Sequence, residues 1–223
     1  RFDKIKINTF FYKGLIELKL KKNAISQNSF DICIDNCNNA NLLSAFSIQL
    51  RRENYLDEAI IFMKAAINES KNVSIFQANL LGLYREKKDY KKSIEIGEKL
   101  INSGTKEINA YLNYSACLLD IGKPEKASEI CKKCLEINPN SAQIHLHLGA
   151  ILKELGNYEE GIYHTRKSLK INPNIPNGLL NLSGLLQDNE EIDEALEILK
   201  MMIKSNTNNP TLYLNLANIY QVQ

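Results

Sequence analysis

Residues 142–175 read AQIHLHLGAILKELGNYEEGIYHTRKSLKINPNI. Leu148 and Leu152 are four apart and so share one face of a helix. Gly156-Asn157 places a helix-stopping glycine after that segment, and a second amphipathic segment follows with Gly161 and Leu169. Asn172-Pro173-Asn174 then ends the second segment, giving helix, turn, helix, turn within 34 residues.

The same pattern recurs in register, without insertion or deletion. Counting Ala40 as position 1, the units are 40–73, 74–107, 108–141, 142–175 and 176–209, with a half unit 210–223. Position 7 is Phe46, Leu80, Tyr114, Leu148, Leu182 and Leu216; position 11 is Leu50, Tyr84, Leu118, Leu152, Leu186 and Tyr220. These form the core stripe of a first helix. Position 8 is small in all units but one, as Ser47, Ser115, Gly149, Ser183 and Ala217, with Leu81 the exception. Position 20 is small throughout, as Ala59, Ser93, Ala127, Gly161 and Ala195. Small side chains at both places let the two helices of a unit approach closely and cross there. Gly122-Lys123-Pro124 repeats the turn signal, because proline is tolerated in the first turn of the next helix.

Residues Leu148, Gly149, Leu152, Gly156, Tyr158, Gly161, Leu169 and Pro173 resemble the tetratricopeptide-repeat signature almost position for position, and the resemblance covers about 40–223. It implies an all-α fold, an α-solenoid of antiparallel helix pairs wound as a right-handed superhelix, acting as a protein–protein interaction scaffold. The chain departs from the signature at position 4, where a bulky aromatic is usual and Leu43, Gln77, Tyr111, His145, Leu179 and Tyr213 stand instead. It departs again at Gly97, where a large residue is normal. Residues 1–39 are less regular. Ile7, Phe10, Phe11, Leu15 and Leu18 have helical spacing, and Phe30, Ile32, Cys33 and Cys37 suggest a second helix after the polar stretch Asn23 to Asn28. The reading there is a degenerate repeat, with a linker as its alternative.

By the same resemblance, positions 2, 5, 6, 9, 12 and 13 face a concave groove that takes a peptide or protein segment. Position 6 is Ala45, Asn79, Asn113, His147, Asn181 and Asn215, and a carboxamide both donates to and accepts from a peptide backbone. The row is similar to the asparagine ladder in the repeat arm of O-linked N-acetylglucosamine transferases and SPINDLY-type proteins. The competing reading is that these asparagines only satisfy local structure. Arg51, Arg52 and Arg85 make the early groove basic, and Glu86, Asp120, Glu154 and Asp188 continue position 13 as an acidic row. This gradient either orients a bound peptide or is an ordinary solvated face. Position 5 is Ser44, Ala78, Leu112, Leu146, Leu180 and Leu214, which lacks the lysine and asparagine pattern of a carboxylate clamp and suggests an apolar strip instead.

Composition narrows the alternatives. The 223 residues are 44% hydrophobic and 24% charged, with a formal net charge of +2 and no basic stripe of the kind nucleic acid requires. No run approaches the roughly 18 apolar residues of a membrane span. The expected partner is a protein or peptide, with no nucleic acid, no membrane and a cytoplasmic setting. Five cysteines, Cys33, Cys37, Cys117, Cys131 and Cys134, are an odd count that suits a reducing compartment and buried thiols. The Cys131–Cys134 pair lacks histidines at metal-ligand spacing, so no metal or cofactor is expected. No glycine-rich phosphate loop, nucleophile elbow or H-E-x-x-H helix is present. Glu159-Glu160 and Glu190-Glu191 fall in turns before helices, and His145, His147 and His164 read as structural rather than catalytic. No catalysis is expected within these residues. Pro210 to Gln223 leaves Leu216, Ile219 and Tyr220 without a covering helix, which suggests a monomer or weak self-association through that helix. It also keeps open a second reading, that of a substrate-recruiting arm of a larger enzyme such as a glycosyltransferase.

Overall fold

The structure is a computed structural model and describes residues 3–71, 73–205 and 210–222. Among these, the elements are α-helices joined by short turns, and no strand occurs. The chain divides into two compact units, 1–117 and 118–223, each described by itself below.

The first unit holds α1 (Lys4–Lys19), α2 (Asn23–Asn36), α3 (Ala40–Arg52), α4 (Leu56–Asn68), α5 (Ser74–Glu86), α6 (Tyr90–Asn102) and most of α7 (Ile108–Asp120). The polar stretch from Asn23 to Asn28 is the first half of α2 and not a connection before it. Its polarity is accommodated locally, since the Ser26 hydroxyl donates to the Asn23 carbonyl and the nearby Ser29 hydroxyl donates to Glu17 of α1 at 2.7 Å. The core of this unit is aromatic. Phe11 stacks on Phe46 with ring centroids 3.9 Å apart, and Phe62 meets Phe11, Phe30 and Phe46 edge-on. Gly14 makes room for this cluster, because a Cβ there would lie 2.6 Å from Cε1 of Phe30.

The second unit holds the end of α7, then α8 (Pro124–Ile137), α9 (Ala142–Glu154), α10 (Tyr158–Ile171), α11 (Gly178–Asp188), α12 (Ile192–Ser205) and α13 (Pro210–Val222). Helix α11 starts two residues later than the 34-residue period alone suggests. Pro176 disfavours helical backbone at Ile175, and Asn177 turns the chain through a left-handed φ of 62°. Contrary to the sequence expectation, Ile219 is fully buried on the core that α11 and α12 share with α13, and Leu216 packs against that core. Tyr220 is 54% exposed.

The small residues at positions 8 and 20 are where paired helices touch backbone to backbone. Ser47 donates its hydroxyl to the Ala59 carbonyl at 2.7 Å, and Ser93 donates to the Leu81 carbonyl at 3.2 Å in the reverse sense. Between α9 and α10 glycines replace both hydroxyls: a Cβ on Gly149 would stand 3.1 Å from the Gly161 carbonyl oxygen and overlap the Thr165 hydroxyl. The small residue at Gly97 has a partner too. The Tyr114 ring occupies the vacated volume, 2.5 Å from where a Cβ would sit.

Position 15 takes a left-handed conformation in every unit, at Asn54, Lys88, Gly122, Gly156 and Glu190, with φ between 63° and 73°. The turn is closed each time by two backbone bonds, such as Gly156 N–H to Lys153 and Asn157 N–H to Leu152. This is the glycine-favouring helix terminus, although only two of the five residues are glycine.

Ion pairs link equivalent positions of successive units. Position 12 reaches position 13 of the next unit in Arg51–Glu86 and in Lys153–Asp188 at 3.2 Å. Position 25 reaches position 19 of the next in Lys132–Glu160 at 2.9 Å and Arg166–Glu194 at 2.6 Å. Such exposed pairs each contribute only about 0–1 kcal/mol.

Candidate groove on the first-helix faces

The position-6 row is divided by what each side chain already does. Asn113 donates its Nδ2 hydrogen to the Ala78 carbonyl at 2.9 Å and lies over Gly82, so half of its carboxamide satisfies the neighbouring first helix. Asn79, Asn181 and Asn215 are half-buried, and among the described residues their carboxamides have no hydrogen-bond partner. Asn181 and Asn215 come together in one cleft of about 480 Å³ formed by α9, α11 and α13. Its walls are Ala150, Lys153 and Glu154 of α9, Leu180, Asn181, Gly184, Leu185 and Asp188 of α11, and Asn215 of α13. His147, half-buried on α9, is not part of these walls.

The cleft joins an apolar floor to polar rims. Leu185 is fully buried beneath it, and Leu180, at position 5, is the member of that row that lines the cleft. Lys153 crosses toward Asp188, and its Nζ lies 2.8 Å from where a Cβ on Gly184 would be. Gly184 therefore leaves space for the lysine, and the salt bridge closes one side of the cleft. The exposed Glu154 carboxylate has no ionic partner among the described residues. Lys153, Gly184 and Ala150 were not singled out from the sequence, though positions 9 and 12 already assigned them to this face.

In the first unit the basic residues are less available than their sequence implies. The Arg51 guanidinium makes a two-point contact with the Glu86 carboxylate, so one cation of the early groove and one anion of the acidic row cancel. Arg52 is exposed and Arg85 half-buried.

Several titratable groups elsewhere are buried. His145 and His164 face each other with Nδ1 atoms 2.8 Å apart and rings stacked. His145 Nε2 lies 3.0 Å from the Pro139 carbonyl, which only accepts, so Nε2 carries the hydrogen and His164 Nδ1–H donates to His145 Nδ1. Burial holds both imidazoles below their ordinary value. His164 is pushed to about 4, with His145 adding to the shift and Glu160 opposing it. All five cysteines are buried free thiols; burial pushes Cys33 up to about 12, with Cys37 adding to it, and Cys134 up to about 11. Burial likewise raises Tyr114 to about 12, with Glu98 contributing. Among the described residues no three His, Cys, Asp or Glu side chains stand close enough to hold a metal ion, and no helix is long and apolar enough to cross a membrane.

Known structures share this architecture. A thermophilic TPR protein of Thermus thermophilus, TTC0263, matches with a TM-score of 0.67 and 18% identity, covering 82% of this chain and 99% of its own. PilF of Pseudomonas aeruginosa matches with a TM-score of 0.66 and 16% identity over 96% of this chain and 97% of its own. YrrB, described as a TPR protein with an unusual peptide-binding site, matches with a TM-score of 0.59 and 20% identity over 85% of this chain and 97% of its own. A family model for anaphase-promoting complex, cyclosome, subunit 3 matches residues 86–168. No curated protein matches the sequence. The chain folds as a tetratricopeptide-repeat protein.

Proposed function

We propose that the chain is a protein-interaction scaffold that holds a peptide segment of a partner on its first-helix faces, with the cleft between α9, α11 and α13 as the best-formed part of that surface. The observation that carries this reading is the pair of carboxamides, Asn181 and Asn215, which flank an apolar floor and have no partner among the described residues. A half-buried amide without a partner is a poor use of polar surface unless water or a ligand completes it. A peptide backbone offers a donor and an acceptor at each residue and so completes both. Asn113, being engaged with Ala78, contributes less to such a grip than its place in the row implies.

The test starts from a displayed library of unstructured peptides selected on the full chain. Selected peptides are titrated against the wild type and against Asn181→Ala combined with Asn215→Ala, with thermal melts confirming that both are folded. Affinity should fall by roughly 1–3 kcal/mol, by similar amounts for peptides of different sequence, because backbone contacts do not read side chains. Unchanged affinity in a folded variant places binding elsewhere.

A further inference from the structure

A second and larger cleft, of about 740 Å³, lies on α10 away from the groove. Glu159, Tyr163, Arg166, Lys167 and Lys170 recur three or four residues apart and form one stripe of the helix. That stripe is opposite the one carrying Gly161, Thr165 and Ser168, through which α10 meets α9.

Two features distinguish this stripe from its counterparts in the same unit. At position 22, α8 has Glu129, three and four residues before Lys132 and Lys133, and α12 has Glu197, three residues before Lys200, a spacing at which opposite charges offset one another. In α10 that place is Tyr163, 59% exposed. The substitution removes an acid and adds an exposed ring. Lys167 and Lys170 accordingly have no carboxylate partner among the described residues, whereas Arg166 is held by Glu194. Ile171, 39% exposed, closes the far end of the cleft, eight residues from Tyr163 and thus about 12 Å along the helix axis.

From this geometry we infer that the outer face of α10 docks an acidic amphipathic helix of a partner protein, whose apolar side chains seat on Tyr163 and Ile171 and whose carboxylates meet Lys167 and Lys170. Two anchors about 12 Å apart match residues seven or eight apart on a helix, and acids three or four residues from an anchor point the same way. Glu159 at the start of α10 and the lysines toward its end orient the partner, because an acidic stretch is repelled at one end and attracted at the other. The chain then engages two partners at once, one on each face, and the α10 site stands independently of the groove.

The probe is a synthetic, end-blocked, glutamate-rich helical peptide with two leucines about seven residues apart on one face. Its titration is followed by fluorescence anisotropy and by amide chemical shifts of the full chain. Saturable binding should perturb residues 159–171, weaken with added salt, and fall about tenfold or more in Tyr163→Ser and in Lys170→Glu. The Asn181→Ala variant should bind it as the wild type does. The inference is overturned if a version with serine for leucine binds equally well, since attraction by charge alone is then sufficient. It is equally overturned if no saturable binding occurs, if the shifts fall on the groove, if either α10 variant retains full affinity while folded, or if vesicles rich in anionic lipid bind where the peptide does not.

Discussion

Acidification is the perturbation to which the His145–His164 pair commits this protein. With both imidazoles neutral, one N–H bridges the two rings and the other is held by Pro139. A proton added to this pair enters a buried site faced by Lys167 and Lys132 as well as by Glu160. The folded pKa therefore lies below the unfolded one, and the unfolded chain takes up the proton first. Stability contributed by the neutral pair is complete above the unfolded value of 6.5 and is lost as pH falls through it toward about 4. For His164 alone this amounts to roughly 2 kcal/mol between about pH 7.5 and about pH 5. The rings are in contact, so the loss belongs to the pair rather than to one residue. Urea unfolding at both pH values, for the wild type and for His145→Leu combined with His164→Leu, isolates the effect from carboxylates titrating lower. The wild type should lose about 2 kcal/mol more than the variant over that interval. Parallel pH dependence in the two proteins, or a wild type more stable in acid, would refute the reasoning.

Two further outcomes follow from the backbone. Glu190→Gly should raise the urea midpoint by an amount equivalent to about 0.5–1 kcal/mol, because Glu190 holds a φ of 63° that glycine adopts without a Cβ clash. An unchanged or lower midpoint would count against the strain. Gly149→Ala should cost about 1–3 kcal/mol through its overlap with Thr165, and Thr165→Ala in the same chain should recover part of the loss, leaving the contact with the Gly161 carbonyl. Strictly additive effects in the double-mutant cycle would show that the two side chains do not meet.

The helices and their core faces were legible because each is written in residues of its own unit: the apolar residues at positions 7 and 11, the small ones at 8 and 20, the proline turns. What remained hidden depends on neighbours that sequence order separates. The left-handed turns at Lys88 and Glu190 lack the glycine that marks Gly122 and Gly156, yet the same two backbone bonds close them. Arg51 and Glu86 read as opposite ends of a charge gradient until the fold brings position 12 beside position 13 of the next unit. Asn113 and Asn181 share a row, but the carboxamide of one is engaged by Ala78 while the other opens into a cleft. His145 stood out as a departure at position 4 and His164 did not, yet the two imidazoles form one hydrogen-bonded pair.

The pairing of position 25 with position 19 also bears on how such a chain changes length. Lys132–Glu160 and Arg166–Glu194 share one polarity, with the cation at position 25 and the acid at position 19, whereas the earlier junctions carry Lys64 with Lys92 and Glu98 with Lys126 at these places. If residues 142–175 were excised, Lys132 would meet Glu194 instead of Glu160, and the residues at positions 8 and 20 of each remaining unit would be unchanged. At these two junctions a whole unit is thus a part with a matching plug and socket, since its removal leaves a cation facing an acid again. A gain or loss of one whole unit at this seam therefore needs no compensating change of charge there.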